Sequence, residues 1–540
     1  MRLALILLVA ICTVAQEDHS QHQHAVAGLG TVDFPTSCNE SAQALISRGV
    51  ALLHSFGYEE ARLTFNRAAA ADPNCGMAYW GVARSWYHPI WAPPSSNELE
   101  RGAAALDRAV AAGAHTARER DYINALAVFY RDWGTVDHAS RAKAYEQALA
   151  NVCERNPEDD EAAIFHALQL VAIGYLDPTD HTYAWQKRGS EVLNRLLPRH
   201  QDHPGVAHYI IHSVDYPGLA ELGLKAARAY ARIAPDSPHA LHMPSHIFTR
   251  LGLWDDSIAS NIASARSAIE QTRRLHGGGG SFDQLHAMDY LVYAYLQEGK
   301  DASARSVVAE MSAMTAFDDD QFQAAYAFAA SPARWALERH DWKAASALQV
   351  KPAWFPWDRF RNAEALVHYA RAIGAGRAGD AAAAHRATDE IAAIRRSLPR
   401  TRDYDWAGSI GAQWEAANAL ATYADGNKAA AIRLLRAAAD HEDAVDKHPV
   451  TPGALLPARE VLADLLLESG ASRDALREYE AVLKIAPRRF NATAGAARAA
   501  AQAGDVLAAR AYARQLLEIA AGAESPRPEL LWARSFVEHQ

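Results

Sequence analysis

Strand-like alternation of Val, Ile and Thr is scarce in this chain, and glycine and proline are modest at 31 and 23 of 540 residues. With alanine abundant and half the residues hydrophobic, that balance excludes an all-β protein and predicts an almost wholly helical one. No stretch beyond the N-terminus is long and apolar enough to span a bilayer. Positive charge is in deficit, with a formal net charge of −10, which argues against nucleic acid or an anionic membrane as partner. His-Glu-x-x-His is absent, so there is no zincin signature. Gly277–Gly280 lacks the following Lys and the strand–helix context of a phosphate loop. No Gly-x-Ser-x-Gly nucleophile elbow occurs either. A chain of 540 residues exceeds what one core can serve, so several domains or a repeat array is expected.

The N-terminus reads as a targeting segment. Met1-Arg2 supplies a small positive region, and Leu3 to Val14 is an apolar run too short to cross a membrane. Small residues near Ala15 place cleavage after it. The rival lipoprotein reading, at Cys12, is weakened by Ile11, where a small residue is required. The mature protein is therefore expected to be exported, periplasmic or secreted. Residues 16–37, with His19, His22 and His24, read as a polar tail.

The region from His203 to Arg250 is the most ordered pattern in the chain. His208 and His212 form an i, i+4 pair, and His242 and His246 repeat it 34 residues later. Asp202-His203-Pro204 and Asp236-Ser237-Pro238 keep the same offset. Thirty-four residues is the length of a two-helix tetratricopeptide unit. From Ser41 onward the pattern is direct: the segment ALISRGVALLHSFGYEEARLTFNRAAAADP, residues 44–73, carries Gly49, Tyr58, Ala61, Phe65, Ala68 and Pro73 at the family's characteristic positions. Gly252 and Trp254, Gly299, then Gly470, Ala475, Tyr479 and Pro487, and finally Gly504 and Ala509 continue the pattern. The chain thus resembles tetratricopeptide repeat proteins over most of residues 41–521.

That resemblance implies an all-α fold, a tetratricopeptide-like right-handed α-solenoid of about ten helical hairpins. The expected organisation is a signal peptide over 1–15, the tail over 16–37, and repeats over 38–275. A glycine-rich flexible insertion (276–281) follows, then degenerate repeats (282–440), clearer repeats (441–521) and a C-terminal tail (522–540). One further unit is suggested over residues 141–172. Cys38 and Cys75 flank the first hairpin and so fall at the same end of it, which makes a disulfide between them reasonable. Cys153, inside a predicted helix, reads as a small buried hydrophobe.

In the family, positions 2, 5, 9 and 12 of each first helix face the concave groove. Counting from Pro204 places His208, His212 and Asp215 at 5, 9 and 12, and counting from Pro238 places His239, His242 and His246 at 2, 5 and 9. Registering the next unit by Gly299 puts His286 at 2 and Asp289 at 5. Side chains at i and i+4 share a helix face, and packed helices lie about 8–10 Å apart, so imidazoles from neighbouring helices can meet. Neutral imidazole suits zinc, copper or iron, and Asp215 or Asp289 can complete a shell or orient a histidine. Two readings stay open for these eight residues: a divalent transition-metal site, with or without hydrolytic or redox chemistry, or packing histidines copied by duplication. As a scaffold, the resemblance implies a protein or peptide partner in the groove, although family members commonly use Lys, Arg and Asn there. His54, the Trp80–His88 aromatic cluster and His166 are secondary candidates.

Overall fold

The computed structural model describes residues 24–90, 93–317, 321–398 and 405–539. The expected signal peptide, Cys12, His19 and His22 lie outside them. The described residues form twelve antiparallel helical hairpins in succession, from Glu40–His54 with Tyr58–Ala71 to Phe490–Gln502 with Val506–Ile519. The helix Pro528–His539 packs on the last pair. The all-α, tetratricopeptide-like array is therefore longer than the ten or so hairpins expected. One extra hairpin pairs Ala117–Tyr130 with His138–Arg155. The unit suggested over 141–172 straddles a boundary instead: it joins the second helix of that hairpin to Asp160–Gly174, the first of the next.

Burial explains the two layers. Every residue of Pro204–Val214 is buried, and so are most of Phe282–Gln297. In the outer helix Ala184–Leu196 only Gln186, Gly189, Leu193 and Leu196 are. First helices, apolar around their circumference, form the inner layer, while amphipathic second helices cover them. Close approach needs small residues at set places. Phe65 lies against Gly49 and Gly81, where an added Cβ would fall within 2.6 Å and 2.2 Å of its ring. Gly252 turns the sixth hairpin with φ 67°, which a side chain rarely tolerates.

Three expected boundaries are corrected. Residues 24–37 are not a loose tail: His24–Val26 pairs with Gly30–Val32, and Leu29, Val32 and Phe34 are buried in the core. The C-terminal 522–540 region contains the capping helix rather than a tail. The repeats expected from residue 441 begin at Ala458, because residues 444–457 run as a non-helical segment. That segment, KHPVTPGALLP at its core, crosses the inner face of the first helices. Tyr290 donates to the carbonyls of Pro449 and Thr451, Arg334 to those of Gly453 and Ala454, and Tyr369 to that of Leu456. Among the described residues no helix is long and apolar enough to cross a membrane.

Candidate metal centre

Two helix starts built alike set the geometry. The His203 side chain accepts the Val206 N–H and Ser237 accepts that of Ala240, and a proline opens each helix where no N–H partner is needed. The second helix then breaks. Pro244 cannot donate, so Pro238–His242 stops and Pro244–Leu251 restarts around Met243. His242 and His246 flank that break with their Nε2 atoms 3.0 Å apart.

The result is two three-histidine groups. His208, His212 and His239 offer ring nitrogens all within 4.8 Å of one another, and His242, His246 and His286 do the same. The groups adjoin: ring centroids are 6.3 Å apart for His212 and His246, and 6.5 Å for His239 and His242. All six side chains are buried.

Hydrogen bonds on the far side of the rings fix which nitrogen carries the proton. His208 Nδ1 donates to the His54 carbonyl at 2.6 Å. His246 Nδ1 donates to Asp215 Oδ2 at 2.9 Å. His242 Nδ1 lies 2.6 Å from Asn261 Oδ1, an oxygen oriented by the Asn261 amide donating to the Ser257 carbonyl. Each of these imidazoles therefore presents an Nε2 lone pair to the centre. Between His242 and His246 two lone pairs confront each other at 3.0 Å, with no hydrogen available to either in the neutral form. His212 adds a second anomaly: neither of its buried ring nitrogens has a hydrogen-bond partner.

Electrostatics keep the rings in the ligand form. Burial lowers the pKa of His208 to about 3 and those of His212, His239, His242 and His286 well below the usual 6.5. His246 is lowered as well, by burial that its Asp215 partner only partly offsets. Burial would raise Asp215, but Lys447, Arg250 and His246 hold it well below the carboxylate range.

The sequence-predicted aspartates separate. Asp215 stands behind His246 and also accepts from Arg250 Nε at 2.8 Å. Asp289 joins neither triad; it takes Ser331 Oγ at 2.9 Å and Arg334 Nε at 3.3 Å. His166 does not extend the wall, since it pairs with Glu146 at 2.9 Å. A third group, His54, Glu161 and His203, is also close enough to hold an ion. Its hydrogen bonds are complete, however. His54 and His203 donate to Glu161 at 2.9 and 3.0 Å, Asp33 N–H donates to the same carboxylate, and Tyr209 donates to His54 Nδ1. It is a buried hydrogen-bonded brace, and the His54 carbonyl carries its rigidity to His208. Sequence reasoning gave no role to Glu161, Asn261, Tyr290 or Lys447; Glu161 and Lys447 act on His54 and Asp215, 107 and 232 residues away, and Asn261 on His242 in its own hairpin.

The sulfurs of Cys38 and Cys75 are bonded, 1.97 Å apart. Burial pushes the Cys153 thiol up to about 12, so it is no nucleophile. A cavity of about 600 Å³ beside the first triad is walled by His239, Phe56, Asp283 and the outer helix Trp254–His276.

No family model matches the chain, and no curated protein does. Solved structures similar to it include Naa15/Naa10 bound to HypK-THB, at 12% identity and TM-score 0.23 over 92% of this chain and 91% of that one. The P58(IPK) TPR domain is similar at 13% identity and TM-score 0.23, over 86% and 98%. A monomeric IFIT1 mutant with Gppp-AAAA is similar at 11% identity and TM-score 0.28, over 93% and 95%. No assignment at the histidine centre rests on these likenesses.

Proposed function

We propose that the protein is a metalloprotein whose inner helical layer holds two adjoining metal ions, one on His208, His212 and His239 and one on His242, His246 and His286. The observation that carries this reading is the pair of Nε2 lone pairs of His242 and His246 facing each other at 3.0 Å, with both Nδ1 hydrogens committed outward. Bare, that contact is repulsive. A cation between the nitrogens turns it into attraction, and ligands at about 2.1 Å from one ion stand about 3–3.4 Å apart. The outward bonds to a carboxylate, an amide oxygen and a backbone carbonyl are the partners that ligating histidines require. An all-imidazole donor set suits zinc, copper or iron and disfavours magnesium or calcium.

Three protein ligands per ion leave positions for water or substrate, the arrangement of catalytic rather than structural metal sites. Hydrolase or oxidoreductase chemistry is the class such a centre serves. The tetratricopeptide-like scaffold also suits a protein or peptide partner, which would share the inner groove with residues 444–457. Export, the expectation from the N-terminal segment, accords with the Cys38–Cys75 bond.

The test is metal content of untagged mature protein by mass spectrometry. Two ions per chain are expected, with one lost in His208→Ala, one in His242→Ala and both in the double variant. Substoichiometric metal in the unmodified protein, persisting after apo-protein is reconstituted with zinc, copper or iron, overturns the reading.

A further inference from the structure

The six proposed ligands are all imidazoles, so each ion would keep its full charge within the ligand set. Nearby carboxylates do not compensate it. Asp215 already faces Arg250 at 2.8 Å and Lys447 at 3.5 Å. Asp289 is paired with the buried Arg334, and Glu161 accepts from two histidines and a backbone N–H. Two divalent ions would thus place about four positive charges in a buried site whose own anions are engaged. Buried charge of that size demands a counter-charge, and Asp283, in the cavity wall beside His239, adds at most one negative charge against about four positive ones.

We infer, resting on the two-ion reading above, that the centre takes a small exogenous anion, a carboxylate or phosphate oxyanion, bridging the two ions. Three features support the assignment. The triads adjoin through His212 and His246, so one small ligand can touch both ions. Three ligands on each ion leave coordination free for it. The 600 Å³ cavity has His239 in its wall, which gives a polar small molecule a route to the first ion. His212 points the same way, because its buried, unpartnered nitrogens lie at the junction between the triads. The substrate class that follows is a small acid or phosphate ester bound through its oxyanion, with the cavity holding the rest of the molecule.

The experiment uses full-length protein loaded with cobalt(II), whose visible spectrum reports coordination. Acetate, inorganic phosphate and azide are titrated into the two-ion protein and into His208→Ala, which keeps one ion. The expected result is a spectral change in the two-ion protein at anion concentrations about tenfold or more below those needed in the one-ion variant. Phosphate or acetate acting first distinguishes the two oxyanions, and azide acting alone rejects both. Equal affinities in the two proteins overturn bridging, and an unchanged spectrum in both overturns anion binding altogether. Cobalt counted beforehand by mass spectrometry keeps these outcomes apart: two ions with no anion response sinks this inference alone, whereas failure to load sinks the metal reading beneath it.

Discussion

Lys447 Nζ lies 3.5 Å from Asp215 Oδ2, although 232 residues separate them. The lysine belongs to the non-helical segment crossing the groove, and the aspartate orients His246. One carboxylate thereby ties the histidine centre to the distal part of the array.

Asp215→Asn removes a charge behind His246 and lets its amide present the wrong group to Nδ1. Outer-shell changes of this kind cost about 10–100-fold in metal affinity. Competition against a chromophoric chelator should show that loss for one ion only, since the His208 triad is braced by the His54 carbonyl instead. Equal weakening of both ions would mean that the triads do not bind separately.

Replacing Arg334 by methionine leaves Asp289 as an unpaired buried carboxylate and releases the carbonyls of Gly453 and Ala454. Destabilisation of about 3–5 kcal/mol is expected from breaking such a pair. Hydrogen exchange should quicken across residues 447–457 before the rest of the inner layer. Denaturant titration measures the first effect and mass-resolved exchange the second.

Reducing the Cys38–Cys75 bond opens a loop of 37 residues. The chain-entropy argument gives about 2–4 kcal/mol. A lower urea midpoint in dithiothreitol, matched by Cys38→Ser/Cys75→Ser without reductant, is the expected outcome.

Acid should destabilise the metal-free protein. Burial lowers His54 and His138 to about 4 and His448 to about 3, and seven other described histidines move the same way. Below the unfolded value of 6.5 the unfolded chain binds these protons and the folded one does not, so stability falls as pH drops towards 4. Asp283, Glu442 and Glu460, raised by burial to about 7, work in the opposite sense, as do Asp289, Glu298, Asp443, Asp446 and Asp464, which burial also raises; against them stand the ten histidines and lowered carboxylates such as Glu161 and Asp215. Each such histidine contributes up to about 1.4 kcal/mol per pH unit in its window. Urea midpoints at pH 7, 6 and 5 in chelator should decline in that order.

The repeat period made the hairpin array legible, because Gly49, Phe65 and their counterparts report local helix contact. It also placed His208, His212, His242 and His246 on neighbouring inner helices, and registration by Gly299 added His286. What the period could not convey is how an irregular helix aims a side chain. The break at Met243 and Pro244 sets the approach of His242 to His246, and Asp289 turns to Arg334 although its register matches that of His208. Lys447 was out of reach for another reason: its contact with Asp215 joins stretches 232 residues apart with no shared pattern, while Asn261 lies on the second helix of the same hairpin as His242, where no marker residue singles it out. The twelfth-hairpin count was missed where Ala117–Tyr130 lacks the repeat's marker residues, and the segment 444–457 was hidden because prolines and glycine also mark ordinary turns.

The segment crossing the groove also sets a sequence of events. Tyr290, whose ring stands edge-on to His242 at 4.7 Å, is held by carbonyls of Pro449 and Thr451, and Asp215 awaits Lys447. A nascent chain that has emerged only as far as His286 owns all six histidines yet lacks the strap that fixes them. The centre is therefore finished only after the strap has emerged, and acquisition of a fixed complement of ions would serve as a chemical signature that the chain has been made and folded through Pro457.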